Sequence, residues 1–217
     1  MNAKARKAKS EFKLKAVKVP INPHLPCIES EEETSLRSPD EVVRRLIALW
    51  AVVGKALMGI DSRFANYIVA HEMQSWLSDV ERTFLLDSGQ TEKRDGIHFS
   101  WQLEALYFIA WCAGLVEECT EIPSKESSVM SILDLFPSGT ESCDKLRAAI
   151  RLRKKDEVMD RADILYRLHW AIRDAQLNNS TTPKGVNSGV VKEWHRAVNW
   201  MIRYDAEDNW DNVGTDT

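Results

Sequence analysis

Apolar residues recur every three or four positions through most of the chain after residue 37, which is the spacing of one helix face. The first such series is Val42, Leu46, Trp50, Val53 and Leu57. The SPDE tetrapeptide at 38–41 has the sequence of a capping box with proline in the first helical turn, and Gly59 follows the series. The pattern therefore predicts a helix with a marked start and end.

The most apolar stretch, HFSWQLEALYFIAWCAGLV at 98–116, has almost no polar face. Helices of this kind are buried on most sides, so a central helix is predicted near 100–114, with Ser100 as its cap and Gly114 at its end. The remaining predicted helices are one capped by Asp61, one from 78 to near Gly89 that begins with a second capping box (SDVE at 78–81), one or two turns at 129–136, and those at 141–153, 155–178 and 189–204.

No stretch shows the alternation of apolar and polar residues that is typical of strands, and no internal repeat occurs. The sequence therefore predicts an all-α fold, a single globular domain of about seven or eight helices packed around the helix near 100–114. This domain covers 38–217 and includes the C-terminal tail.

The first 37 residues have a different character. Lysine and arginine dominate 1–18, Pro20, Pro23 and Pro26 follow, and 29–33 is rich in glutamate. Because prolines and charge runs interrupt regular structure, 1–37 is predicted to be an extended or partly disordered arm. A basic arm of this kind is mobile or folds across acidic parts of the domain.

Composition narrows the class of protein. The chain has 217 residues, 44% of them hydrophobic, and a net charge of -4, which argues against nucleic-acid binding outside the basic arm. The eight tryptophans are interpreted mainly as packing residues. The four cysteines form no CxxC pair. The basic start of the chain is not followed by an apolar stretch, so no signal peptide is expected. The longest apolar run is too short to span a membrane. A cytoplasmic location without membrane contact is therefore expected.

Known catalytic and cofactor motifs do not appear. HEMQS at 71–75 lacks the second histidine of a zinc-protease helix, and there is no glycine-rich phosphate loop. No metal and no cofactor is predicted, and the sequence favours a protein that is not an enzyme.

One set of polar and aromatic residues on three predicted helices is a candidate site. Its members are Trp101, Glu104, Arg167, His169, Trp170, Arg173, Asp174, Glu193, His195 and Trp200. A carboxylate inside an apolar helix needs a partner, and the candidate partners of Glu104 are Arg167, Arg173 and His195. Two interpretations stay open. The set is either an ion-pair network that joins the helices, or a pocket in which Glu104 and His195 exchange protons and the arginines hold an anion.

Five segments, in this order, resemble the bacterial family catalogued as domain of unknown function 4272. They are INPHLPCIESEEETSLRSPDEVVRRLIALW, WQLEALYFIAWCAGLVE, YRLHWAIRDAQL, GVVKEWHRAVNWM and WDNVGTDT. Trp194 departs from the family, which usually has arginine there. The resemblance covers about 20–217 and implies an all-helical domain without implying an activity. It also implies that the C-terminal segment belongs to the domain, with Trp210 docked on the helices and Asp211 and Asp216 paired there.

Three functions are compatible with these observations. The favoured one is a cytoplasmic protein-binding module, and one specific version is an immunity or antitoxin-like partner of a bacterial toxin, whose basic surface an acidic patch would mask. The first alternative is an enzyme or small-ligand binder that uses the candidate site. The second is a structural or regulatory subunit that self-associates through tryptophans. The oligomeric state stays open.

Overall fold

A computed structural model describes residues 1–59, 62–87 and 93–217, apart from the side chain of Lys93. Within these ranges the chain forms helices and no strand, which confirms the predicted all-α fold. The α-helices are α1 (Ala3–Ala16), α2 (Pro39–Met58), α3 (Arg63–Ala70), α4 (Asp79–Leu86), α5 (Lys93–Cys112), α6 (Asp144–Ala149), α7 (Lys155–Leu177) and α8 (Ser188–Met201). Short 3-10 helices cover Gln74–Trp76, Met130–Leu135, Tyr204–Ala206 and Trp210–Asn212.

Both predicted capping boxes form. At the start of α2 the backbone N–H of Glu41 donates to Ser38 Oγ at 3.3 Å, and Ser38 N–H donates back to Glu41 Oε2 at 2.8 Å. Ser78 and Glu81 do the same at the start of α4. α2 ends at Gly59, whose φ of 77° suits glycine. Asp61 and Gly89, the predicted start and end of two helices, lie outside the described residues.

The helix predicted near 100–114 is α5, and it occupies the centre of the main core. α5 packs against α2 on one side and α8 on another, and α8 also contacts α7. Its predicted start was wrong: the helix is already formed at Lys93, and Ser100 lies inside it with its hydroxyl donating to the carbonyl of Ile97 at 2.8 Å. A serine inside a helix satisfies its side chain in this way without breaking the helix.

The end of α5 is fixed by close packing. Gly114 has a φ of +73°, and a Cβ there would lie 2.3 Å from the carbonyl oxygen of Arg151. The residues after α6 run alongside this end, since the N–H groups of Arg151 and Arg153 donate to the carbonyls of Ala113 and Cys112 at 2.9 Å. For that reason the helix predicted at 141–153 is limited to Asp144–Ala149.

The prediction of an extended or disordered arm was wrong for its first part, because Ala3–Ala16 is α1. Its alanines and lysines favour helix, the side chain of Asn2 caps it, and its prolines lie beyond its end. α1 packs on α7 through a second core that includes Leu14. Its fully buried Arg6 pairs with Asp160 at 3.0 Å and with Glu31, so the basic helix does lie across acidic parts of the domain.

Candidate functional site

Glu104 of α5 does not pair with the residues predicted for it. Its carboxylate is 2% exposed and accepts hydrogen bonds from Ser127 N–H and Ser127 Oγ, both at 2.7 Å, and from Trp194 Nε1 at 3.1 Å. The donors belong to the loop after α5 and to α8. Trp194 thus supplies one partner of a buried carboxylate.

Arg167 of α7 is likewise used elsewhere. Its Nε and Nη2 donate to the two carboxylate oxygens of Asp163 at 2.9 and 2.8 Å, a bidentate and buried pair. Nη2 also donates to the carbonyl of Pro26 at 3.2 Å, and Nη1 lies 3.7 Å from Glu11. Arg167 therefore holds the N-terminal segment on α7. The i, i+4 spacing from Asp163 to Arg167 is the one sign of this role that can be read from the sequence.

The other members of the predicted set do not converge on one point. Arg173 is exposed, Asp174 accepts a hydrogen bond from Asn178 at 3.1 Å, and Trp170 is half-buried against the second core. Trp101 is half-buried against Gly189, where a Cβ would lie 2.6 Å from the indole. The predicted pocket with Glu104, the arginines and His195 is thus not formed.

Glu193 of α8 is buried, and its Oε2 has no hydrogen-bond partner among the described residues. Burial raises the pKa of this carboxyl, and the nearby Glu104 carboxylate raises it further against the opposing effect of Arg196 and Lys192. The two carboxyls share no hydrogen-bond partner among the described residues.

His169 and His195, both in the predicted set, form a buried pair between α7 and α8, with their Nδ1 atoms 2.9 Å apart. Asn199 fixes the direction of the proton. Its Nδ2 donates to the carbonyl of Gly214 at 2.9 Å and lies 3.3 Å from His195 Nε2, which therefore accepts. His195 then carries its proton on Nδ1 and donates it to His169 Nδ1. Burial lowers the pKa of His169 to about 4 and that of His195 to about 3, so both rings are neutral near pH 7.

The C-terminal segment packs against the helices. Trp210 is 2% exposed, and its ring centroid lies 4.6 Å from the guanidinium carbon of Arg45 and 4.4 Å from that of Arg196. Its Nε1 donates to Gln102 Oε1 at 3.4 Å. Trp200, buried beside it, lies 5.0 Å from the guanidinium of Arg37.

The aspartates of the C-terminal segment have different surroundings. Asp211 accepts hydrogen bonds from Ser78 Oγ at 2.6 Å and from Val80 N–H at 3.1 Å, so it lies at the N-terminus of α4. Asp216 is exposed and has no hydrogen bond or ion pair to any described residue.

Sequence reasoning missed the buried pair of Arg45 and Glu81, which are 5% and 1% exposed. The available signal was the position of Arg45 among the buried residues of α2, next to Leu46. Such an arginine requires a carboxylate partner in the core.

Two cavities adjoin one another where the N-terminal and C-terminal segments meet α7 and α8. The first, which we call the tyrosine cavity, has a volume of about 290 Å³. It is lined by Pro26, Cys27, Ile28, Glu29, Ala162, Tyr166, His195, Asn199, Ile202, Tyr204, Asp216 and Thr217.

The second, which we call the acidic depression, has a volume of about 370 Å³. It is lined by Glu29, Glu33, Thr34, Ser35, Ile202, Arg203, Tyr204, Asp205, Ala206 and Asp208. Glu29, Ile202 and Tyr204 belong to both cavities.

The fold and these cavities define a single-domain all-α protein with a mixed polar and aromatic surface site at the junction of its two terminal segments. The chain belongs to the family described as Domain of unknown function (DUF4272), whose model matches residues 6–213. No curated protein and no solved structure is found to match it. None of the helices in the described ranges has the length and apolar character needed to cross a membrane.

Proposed function

We propose that this protein is a protein-binding module that recognises a basic partner protein through the acidic depression. The observation that carries the proposal is the meeting of two acidic segments that are far apart in sequence. Glu29 and Glu33 come from the segment before α2, and Asp205 and Asp208 come from the segment after α8. All four are exposed.

The charge in the depression is uneven. Arg203 is the basic residue among its lining residues, and it is already paired with Asp208 at 2.9 Å and Glu41 at 2.6 Å. Glu29 and Asp205 have no ion pair with any described residue. A concave surface with excess carboxylates raises the local concentration of a basic partner and speeds its association.

The backbone at the rim is held in an unusual conformation. Arg203, Asp205 and Ala206 have φ values of 55°, 55° and 54°, in the left-handed region that costs non-glycine residues about 1–3 kcal/mol each. Arg37 holds this backbone conformation in place, because its guanidinium donates to the carbonyl of Trp200 at 3.0 Å and to that of Glu207 at 2.6 Å. Strained backbone of this kind is concentrated at binding and active sites, which supports a preformed binding surface.

The specific version of the proposal is an immunity-like protein in the bacterial cytoplasm that masks a basic toxin. Its support is the net charge of -4 together with the acidic depression. The enzyme alternative loses its geometric support because Glu104 and His195 bond to different partners. The alternative of self-association through tryptophans is not favoured either, because all eight tryptophans are buried or half-buried.

The test compares two doubly substituted variants with equal change of charge. Glu33→Gln with Asp205→Asn removes two of the four carboxylates of the acidic depression; Gln keeps an acceptor for Ser30, and Asn tolerates the left-handed backbone at 205. Glu117→Gln with Glu118→Gln neutralises exposed residues elsewhere. Tagged proteins are used to capture partners from the native host, and dissociation constants are then measured at two salt concentrations.

The proposal expects a basic protein that binds the unmodified chain and the control variant with equal affinity. This protein should bind the depression variant about tenfold more weakly, and its affinity for the unmodified chain should fall at high salt. Equal affinity of the depression and control variants for every captured partner would overturn it. For the toxin version, co-expression with the captured protein must protect cells, and the depression variant must protect less.

A further inference from the structure

The tyrosine cavity lies directly beside the acidic depression but differs from it in chemistry. Its walls include two aromatic rings, Tyr166 of α7 and Tyr204 after α8, and the apolar side chains of Ile28, Ala162 and Ile202. Its volume of about 290 Å³ is at the lower end of the range for small-molecule sites, so it fits a group smaller than a drug-sized ligand.

The polar groups on its walls are acceptors or neutral. Glu29 and Asp216 supply carboxylates, and neither has an ion pair with any described residue. The hydroxyls of Tyr166 and Tyr204 have no hydrogen bond to any described residue. Among the described residues that line the cavity there is no lysine and no arginine. Two guanidinium groups close to lining residues are already paired. That of Arg167 lies 5.8 Å from the Tyr166 ring and has a bidentate pair with Asp163, and that of Arg203, next to Tyr204 in the chain, pairs with Glu41 and Asp208.

The buried end of the cavity is uncharged, and its polar nitrogens are already hydrogen-bonded within the protein. His195 and Asn199 line it, and their ring and amide nitrogens are already occupied by His169, by each other and by the carbonyl of Gly214. Burial lowers the pKa of His195 to about 3, so this ring adds no positive charge near pH 7. Burial together with Asp205, Asp216 and Glu29 raises the pKa of Tyr204, which indicates a negative potential at the phenol.

We propose that the tyrosine cavity binds a single guanidinium or ammonium group carried on a short apolar stem. The carboxylates of Glu29 and Asp216 compensate its charge, the rings of Tyr166 and Tyr204 provide cation–π contact, and Ile28, Ala162 and Ile202 contact the stem. Two sources share this chemistry. One is an arginine or lysine side chain of the partner protein, which enters from the acidic depression. This source depends on the proposed function. The other is a free small amine or guanidine.

Cys27 on the cavity wall provides a direct readout. It is a free, half-buried thiol, and Cys119, a half-buried thiol outside the lining, serves as an internal control. The full chain is treated with iodoacetamide in the presence of n-butylguanidinium, and the two sites are quantified by mass spectrometry. The neutral isostere n-butylurea has nearly the same shape without the charge.

The expected result is saturable protection of Cys27 by butylguanidinium, by a factor of 1 + [L]/Kd, or about tenfold at nine times the dissociation constant. Butylurea should protect little, and Cys119 should react at an unchanged rate. Glu29→Gln with Asp216→Asn, and separately Tyr166→Leu, should abolish protection, while Glu117→Gln with Glu118→Gln should not. A thermal melt of each variant identifies any that fail to fold.

Equal protection by butylurea, no protection by butylguanidinium, or protection that survives both cavity variants would overturn the proposal. The source is decided with acetyl-Gly-Arg-Gly-amide and its citrulline counterpart. Protection by the arginine peptide indicates a protein side chain, and protection by butylguanidinium alone indicates a free small molecule. Because Glu33 and Asp205 do not line the tyrosine cavity, their variant separates the two proposals. Unchanged partner binding in this variant, together with intact Cys27 protection, would reject the proposed function and leave the cavity site standing.

Discussion

The Nδ1 atoms of His169 and His195 lie 2.9 Å apart in the interior between α7 and α8, so one ring donates the proton and the other accepts it. Two positively charged rings are incompatible with this contact. The pair therefore couples the packing of the two helices to the neutral state of both histidines.

Acid should weaken the fold through this pair. Burial lowers the pKa of His169 to about 4 and that of His195 to about 3, whereas an unfolded histidine titrates near 6.5. Below pH 6.5 the unfolded state therefore binds protons that the folded state does not, and the free energy of unfolding falls as pH decreases toward 4 and 3. The expected slope is about 1 kcal/mol per pH unit for each ring. Denaturant unfolding at several pH values measures it.

Carboxylates also take up protons in acid, so a variant is needed that removes the contribution of the histidine pair alone. His169→Phe is such a variant. The variant should be about 1–3 kcal/mol less stable at pH 7.5, because His195 Nδ1–H loses its acceptor. The difference in free energy of unfolding between the unmodified chain and the variant should shrink as pH falls toward 4. The control is His24→Gln at an exposed position. A constant difference between the unmodified chain and His169→Phe from pH 7.5 to 4.5 would contradict the assignment.

Trp210→Ala should destabilise the whole protein by about 3–5 kcal/mol, the usual cost of removing a buried tryptophan. The substitution leaves a space beside Arg45 and Arg196 and removes the donor to Gln102. Asn212→Ala, at an exposed neighbour, should change stability by less than about 0.5 kcal/mol. Deletion of 209–217 should be at least as damaging as Trp210→Ala. An unchanged melting temperature after deletion would show that the segment is not part of the core.

Arg45→Met should cost about 3–5 kcal/mol, because it leaves the Glu81 carboxylate buried without its cation. Adding Glu81→Gln removes that charge and should recover much of the loss, since Gln also keeps an acceptor for the backbone N–H of Ser78. Arg147→Met breaks the exposed pair with Asp40 and should cost less than about 1 kcal/mol. Chemical denaturation of the unmodified chain, Arg45→Met, Glu81→Gln and the double variant measures the coupling between the two side chains.

Glu104→Gln tests whether that carboxylate is structural. The three donors use both carboxylate oxygens, with Ser127 N–H on Oε1 and both Ser127 Oγ and Trp194 Nε1 on Oε2. The amide of Gln replaces one oxygen by an NH2 donor, so at least one of these hydrogen bonds is lost and a cost of about 1–3 kcal/mol is expected. Ser127→Ala removes the hydroxyl alone and should cost about 1 kcal/mol. If Glu104→Gln leaves the free energy of unfolding unchanged, the hydrogen bonds seen here are not what keeps a carboxylate at this position.

The helices could be predicted from sequence where local signals were sufficient. The capping boxes at Ser38 and Ser78 and the glycines at 59 and 114 depend on neighbouring residues, and the structure places them as expected. α1 was missed because its lysines suggested a solvated arm, although a helix needs only one apolar edge, supplied here by Leu14.

The side-chain partners could not be predicted in the same way. Helical spacing shows which residues share a face, but it does not show which helix the face meets. The candidate partners predicted for Glu104 are Arg167, Arg173 and His195. Its partners in the structure are Ser127 in a loop and Trp194 on α8. The Asp163–Arg167 pair has an i, i+4 spacing that sequence alone can detect, whereas the contact of His169 with His195 depends on how α7 and α8 pack.

The position of Trp210 also has a consequence for synthesis. The groups around its indole belong to α2, α5 and α8, all of which leave the ribosome before it does. Until residue 210 emerges, Arg45 and Gln102 lack a neighbour that they have in the finished protein. This side of the domain therefore reaches its final packing only after residue 210 has emerged, and a nascent chain stalled before that point exposes an unfinished core to chaperones and proteases.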